Sequence, residues 1–229
     1  MTDEKKPRYE RKAALTDMDE KEFENILKEH PAIFSESFSE RKINNMYFDS
    51  LNLRNYNEHI NGENERLKIR IRWYGSLFGE IKKPMLEIKT KNRELGQKIS
   101  FPLNSFMLNK LFSYKTLYEE MIKKSNLPKW TCEMMAGVSP ILLNSYKRRY
   151  FMSADKKYRI TLDKDMLFYR INASNNLFID RIDDKELLLV ELKYSDAEHA
   201  KAHLITQHFP FRFVANSKYL SGINLLDIV

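Results

Sequence analysis

Three segments of this chain place a glutamate and a lysine two residues apart: Glu10-Arg11-Lys12, Glu87-Ile88-Lys89 and Glu191-Leu192-Lys193. A fourth, Lys68-Ile69-Arg70-Ile71-Arg72, alternates cations with isoleucine. A period of two belongs to the β-strand, in which residues i and i+2 share a face. Each segment therefore carries its charges on one face and mostly apolar residues on the other. Any one of them alone reads as a half-buried strand with its polar face in water. Four strands with the same mixed-charge face point instead to charged faces that converge, as in a closed antiparallel barrel with a polar interior.

The rest of the chain alternates between strand and helix signals. Arg8–Leu15 reads as the first strand, and Thr16 or Asp17 as the cap of a helix carrying Phe23, Ile26 and Leu27 and stopped by Pro31. Lys42–Phe48 is strand-like, and the polar stretch through Asn64 holds a short helix and a turn at Gly62. Glu65–Tyr74, Pro84–Lys91 and Lys98–Pro102 follow as strands, the first two joined by a turn over Gly75–Gly79. Leu103–Asn126 has helical spacing (Phe106, Leu111, Phe112, Leu117, Met121, Ile122), with Pro128 beyond its end. Strands resume at Ile141–Phe151, Tyr158–Leu162, Asp165–Tyr169 and Leu187–Tyr194. Asp196–His208 reads as a helix, and a turn is expected at Gly222 in a mixed tail. No linker or internal repeat interrupts residues 1–229, so the reading is a single α+β domain built on an antiparallel β-barrel with flanking helices.

Composition bounds the chemistry. With 42% hydrophobic and 12% aromatic residues, the 229-residue chain can bury a core and is not globally disordered. The 39 basic residues exceed the 32 acidic ones, for a net charge of +7, which favours a polyanionic partner. Cys132 is the lone cysteine, which excludes an intrachain disulfide and a cysteine zinc cluster and fits a reducing compartment. The charged start Met1–Pro7 is no signal peptide and no apolar run spans a bilayer, so a cytoplasmic protein without a membrane segment is expected.

Two later strands extend the charged face. In Tyr146-Lys147-Arg148-Arg149, one of Arg148 and Arg149 points inward and the other outward. In Arg159-Ile160-Thr161-Leu162-Asp163, Arg159, Thr161 and Asp163 share a face. Together with Lys12, Arg70, Arg72, Lys89 and Lys193, such a lumen holds more cations than carboxylates. Desolvating each ion costs several kcal/mol, so the arrangement makes sense around a bound polyanion. Arginine forks match phosphate oxygens and lysines add point charges. The carboxylates, chiefly Glu191 and secondarily Glu10 and Glu87, fit a hard divalent ion, Mg²⁺ or Mn²⁺, shared with phosphate oxygens. Cations plus such a metal are the parts phosphoryl transfer needs. No P-loop or dinucleotide glycine motif is present, so side chains must hold the phosphates.

At this point the sequence resembles the VTC domain, the polyphosphate polymerase domain of the vacuolar transporter chaperone complex, within the triphosphate tunnel metalloenzymes of CYTH type. The matching pieces run in family order. They are Tyr9–Lys12, Asn45–Asp49, Leu67–Gly75 with its Arg-x-Arg-Trp-Tyr-Gly, Leu86–Thr90, Tyr146–Arg149, Tyr158–Asp163, Val190–Tyr194 and Ser217–Tyr219. The resemblance implies a tunnel in which the γ-phosphoryl of ATP is moved onto polyphosphate with Mn²⁺ or Mg²⁺. It implies Lys12, Arg70, Arg72, Lys89, Arg148, Arg159 and Lys218 as phosphate ligands, with Glu191 on the metal and Lys193 beside it. Lys12, Arg70, Arg72, Lys89 and Glu191 would carry catalysis. Where the family has a lysine shortly before the one matching Lys218, this chain has Val214, Ala215 and Asn216, and Arg212 is a distant substitute.

Three other functions fit parts of the pattern. A triphosphatase needs the same cation cage and metal, and a non-catalytic polyphosphate sensor needs the cage alone. A nucleic-acid binder would set its cations outward beside exposed aromatics, whereas these alternate with core-like isoleucine and leucine. His199 and His203 stand at i and i+4 on a helix but lack a third ligand, and read as surface residues.

Overall fold

The computed structural model describes residues 8–92 and 95–229, so the charged start Met1–Pro7 lies outside the described residues. The described residues form a mostly antiparallel sheet flanked by six α-helices, an α+β fold. They divide into two compact units. The first comprises the described part of Met1–Arg41 with Tyr146–Met166 and Asp184–Asn216. The second comprises the described part of Lys42–Ser145 with Leu167–Asp183 and Ser217–Val229.

In the first unit, β1 (Arg8–Leu15) pairs with β11 (Leu188–Ser195), which pairs with β9 (Tyr158–Arg170), which neighbours β8 (Ser139–Met152). In the second, the order runs from β8 through β2 (Ser35–Asp49), β3 (Glu65–Tyr74) and β5 (Met85–Asn92) to β6 (Leu95–Pro102). The long strands β2, β8 and β9 contribute residues to both units. A separate ribbon joins β4 (Gly79–Ile81) to β7 (Phe106–Leu108), and β10 (Arg181–Asp184) pairs with β9. Every pair with a defined register is antiparallel.

Alternation decides which face each strand buries. In the first unit Ala13, Leu15, Ile160, Leu162, Val190 and Leu192 are buried and pack under α1 (Glu20–Glu29) through Phe23 and Leu27. In the second, Ile69, Ile71, Trp73, Leu86 and Ile88 pack with Met121, Ile122 and Met135. Each fully buried aliphatic or aromatic side chain contributes roughly 1.5–3 kcal/mol. Burial of these apolar faces leaves the opposite, charged faces of the same strands as candidate sites.

Several boundaries differ from the sequence reading. The helix cap is Asp19, not Thr16 or Asp17. Asp19 accepts from the Glu22 amide at 2.9 Å while Glu22 accepts from the Asp19 amide at 2.8 Å, a reciprocal capping box that starts α1 later than expected. The expected helix over Leu103–Asn126 begins as β7, because Phe106–Leu108 pairs with β4, and turns helical at α3 (Tyr114–Leu117) with a π-turn over Tyr118–Ile122. Pro128, read as a stop, caps α4 (Lys129–Ala136), a placement that suits a residue lacking an N–H. The Asp196–His208 helix is a 3₁₀ segment over Asp196–Lys201 followed by α5 (Ala202–Thr206). Tyr158–Leu162 and Asp165–Tyr169 are one strand. Gly222 is not a turn: it lies inside α6 (Lys218–Leu225), against Leu142 and Phe168. Among the described residues, no helix is long and apolar enough to cross a membrane.

Candidate phosphate-binding site

The charged faces form two clusters, one in each unit. In the first unit, register sets Lys12 opposite Glu191 and Glu191 opposite Thr161; on the next rung Glu10 faces Lys193 and Lys193 faces Arg159. Opposite residues in an antiparallel pair point to the same side, so two lysines and two glutamates meet there. Lys193 Nζ lies 3.0 Å from Glu191 and 3.1 Å from Glu10; Lys12 Nζ lies 3.7 Å from Glu191 and 3.8 Å from Glu10. Arg148 joins this face. Its guanidinium is held by Asp163 through two bonds, Nη2 donating to Oδ2 at 2.6 Å, and stands 5.4 Å from the Tyr146 ring. Burial would favour losing its proton, but the Asp163 charge outweighs that and keeps the guanidinium charged, with Glu191 adding to the effect.

Alternation along β8 separates the two adjacent arginines. Arg149 turns to the other side, where Glu20 and Glu24 of α1 and Glu36 of β2 accept its hydrogen bonds. Two donors on the β9 rungs, Arg159 Nε and Thr161 Oγ1, are buried without a hydrogen-bond partner. Such groups normally find one, and both can donate to an oxyanion. Thr161 shares a face with Arg159 in the sequence, but only burial distinguishes its hydroxyl.

In the second unit, Arg70, Arg72 and Lys98 converge on Glu87. Arg70 Nη2 lies 2.6 Å and Arg72 Nη1 3.7 Å from Glu87 Oε2, while Lys98 Nζ donates to Oε1. Glu87 is 7% exposed. Burial alone would raise its pKa, but the charges of Arg70 and Arg72 and the Lys98 contact hold it at about 2. Arg72 Nε also donates to Asn45 Oδ1 at 2.9 Å, and Asn45 Nδ2 to Asn144 Oδ1 at 2.8 Å, so two buried amides fix that guanidinium. The adjacent rung sets Lys68 opposite Lys89 and Lys89 opposite Lys98. Like charges directly opposite destabilise a sheet, and this rung carries three.

The segment around Lys218 is anchored from two sides. Lys68 Nζ donates to Ser217 Oγ at 2.9 Å, and the Tyr219 hydroxyl donates to buried Asp49. Asp49 also accepts from the backbone of Asn55 and Tyr56, each at 2.9 Å, fixing α2 (Arg54–Ile60). Lys218 is the first residue of α6 and half-buried.

The candidate residues therefore fall into Glu10, Lys12, Arg148, Arg159, Glu191 and Lys193 in one unit, and Arg70, Arg72, Glu87, Lys89 and Lys218 in the other. Sequence reasoning passed over Lys98, Asn45 and Asn144. The hairpin from β5 to β6 brings Lys98 to Glu87, and its signal was the Lys98-Ile99-Ser100 alternation. Arg212 is exposed and the Val214 amide donates to the Lys12 carbonyl at 2.6 Å.

The carboxylates differ in how they suit a divalent ion. Asp163 is held by Arg148, and Glu87 by the Arg70 guanidinium together with Arg72 and Lys98. Glu10 and Glu191 face lysines alone among the ion pairs described. No group of three histidines, cysteines, aspartates or glutamates could hold a metal among the described residues. Glu191 with Glu10 fits an ion such as Mg²⁺ that takes one or two carboxylates and completes its shell with water and phosphate oxygens. His199 stacks on Tyr9 at 3.8 Å and His203 bonds the Ala200 carbonyl, both away from these carboxylates in their contacts.

Comparison with known proteins bears on the family and the fold. The family model described as the VTC domain matches residues 7–227. A Vibrio parahaemolyticus protein solved as a candidate adenylate cyclase superposes with a TM-score of 0.52 at 12% identity, covering 93% of this chain and 96% of that one. A candidate adenylyl cyclase from Hippeastrum, described as having a dominant triphosphatase activity, gives 0.52 at 12% identity with 95% of each chain covered. No curated protein sequence matches this chain significantly.

Proposed function

The chain belongs to the VTC domain family, and on that premise we propose that it is a metal-dependent polyphosphate polymerase that transfers the γ-phosphoryl of ATP to the end of a polyphosphate chain. One observation carries the reading. The Lys68, Lys89 and Lys98 rung adjoins the rung of Arg70 and Glu87, with Arg72 one rung further along the same face, so that cations outnumber carboxylates there, a surplus that suits a polyanion.

In the proposed reaction a terminal phosphate oxygen of the acceptor attacks Pγ of ATP. A new P–O bond forms as the bond from Pγ to the β,γ-bridging oxygen breaks, and ADP leaves with the electron pair. Such transfers depend on positioning and charge stabilisation. Lys12, Arg70, Arg72, Lys89, Arg148, Arg159, Lys193 and Lys218 are assigned to phosphate oxygens. Lys12, Arg70, Arg72 and Lys89 are the cations on which the transfer itself would lean. Glu191, with Glu10 beside it, would hold Mn²⁺ or Mg²⁺, which when bound neutralises charge developing on the phosphate oxygens. No glycine-rich cradle is present, so arginine forks supply the orientation backbone amides give elsewhere.

The test is to incubate the protein with ATP and Mn²⁺ and resolve the products on a polyphosphate-stained gel beside a free-phosphate assay. A ladder of chains with ADP and little free phosphate is expected. Free phosphate or pyrophosphate without a ladder would make the protein a triphosphatase, and triphosphate binding with neither product would make it a sensor.

A further inference from the structure

Among the described residues, Glu87 is set apart from Glu10, Glu191 and Asp163 by its partners. It is a buried anion at the focus of three cations, two of them arginines that present forked donors. Its two oxygens are approached as phosphate oxygens would be: Arg70 Nη2 and Nε at 2.6 and 2.8 Å and Arg72 Nη1 at 3.7 Å on Oε2, and Lys98 Nζ on Oε1. Arg72 is fixed from behind by Asn45, itself bonded to Asn144, so this fork is aimed before any ligand arrives. A carboxylate bonded this closely by an arginine fork on one oxygen and a lysine on the other has little left for a metal ion. It is well suited to keep three like charges together at close range, which they would otherwise resist.

We propose that Glu87 is a built-in counter-ion that holds Arg70, Arg72 and Lys98 in a phosphate-ready fan and competes with the substrate's phosphate oxygens for them. The inference rests on the phosphate-binding reading above and adds a positioning residue to it. Two consequences follow from competition. Substrate binds more weakly than three uncompensated cations would allow, and product leaves faster, because Glu87 recaptures the cations as each phosphate departs. A residue that merely stabilises the fold would act on neither.

Because Glu87→Gln keeps the shape and one acceptor oxygen but removes the charge, it separates these roles. Binding of inorganic tripolyphosphate is measured by calorimetry for wild type and E87Q, and turnover of ATP for both. E87Q is expected to bind about tenfold tighter, equivalent to about 1.4 kcal/mol, with a lower KM and a lower kcat as release slows. Equal or weaker binding by a folded E87Q overturns the proposal. Should E87Q fail to fold, E87Q/K98Q keeps the cluster's net charge and is compared with K98Q: tighter binding by the double variant supports competition, and equal or weaker binding overturns it. If wild type itself does not bind tripolyphosphate, the phosphate-binding reading falls and this inference with it, an outcome distinct from a wild type that binds and a variant that does not tighten.

Discussion

Arg148 and Asp163 form a two-point ion pair between neighbouring strands, Nη2 donating to Oδ2 at 2.6 Å and Nε to Oδ1. Asp163 is 1% exposed and the Arg148 side chain 13%. Removing one member of a buried pair strands the other's charge, which costs about 3–5 kcal/mol, whereas replacing both with apolar groups costs far less. Asp163→Asn is therefore expected to lower the unfolding free energy by about that amount. The Asp163→Leu, Arg148→Met double variant should recover most of it. Urea denaturation of the three proteins checks this, and a loss below about 1 kcal/mol for Asp163→Asn would show that Arg148 does not depend on the pair.

Glu191 contacts both lysines of its cluster, so its charge both tethers them and offers a metal site. Glu191→Gln is expected to reduce metal-dependent turnover by at least about 100-fold, the scale on which one group stabilising transition-state charge acts, while nucleotide affinity stays largely intact. Arg70→Ala or Arg72→Ala should weaken binding itself. Separate measurement of nucleotide affinity and kcat decides the matter; normal turnover in Glu191→Gln would remove it from the mechanism.

Acid should destabilise the second unit through Glu87. Its pKa is held at about 2 against an ordinary 4.5. A carboxylate with a depressed folded pKa contributes stability that is fully present above its unfolded value and is lost as pH falls towards the folded one. The shift corresponds to about 3 kcal/mol, fading between about pH 4.5 and about pH 2. Denaturation midpoints measured across that range should fall less steeply in Glu87→Gln than in wild type. Identical profiles would contradict the assignment.

A methyl group at Gly222 would stand 2.6 Å from Leu142 Cδ2 and 2.7 Å from Phe168 Cδ1. Gly222→Ala is expected to cost about 1–3 kcal/mol by overpacking, despite the better helix propensity of alanine. Since α6 opens with Lys218, tripolyphosphate affinity should fall as well. A variant as stable as wild type in urea, with unchanged affinity, would mean that the helix shifts at no cost.

The charged strands were legible because their signal is local. β1 and β3 match their sequence boundaries, since alternation with period two requires only neighbouring residues. β2 begins at Ser35, well before the apolar run at Lys42, because Ser35–Arg41 is polar and mostly exposed and offers no such alternation. Phe106–Leu108 carries helical spacing yet pairs with Gly79–Ile81, a choice made by a segment distant in the chain rather than by its own sequence.

By itself the sequence determined which residues are charged, which strands they ride on and which neighbours share a face. The identity of each charge's partner was decided by tertiary structure alone. Glu87 and Glu191 sit in near-identical Glu-x-Lys segments, yet one is enclosed by two arginines and a lysine and the other lies between two lysines. Strand register sets those partners, and register is fixed by pairing between distant segments and by burial of the opposite faces. The tertiary structure sends Arg148 to Asp163 and Arg149 to the carboxylates of α1 and β2; the sequence divides the two arginines between faces but does not say which takes which.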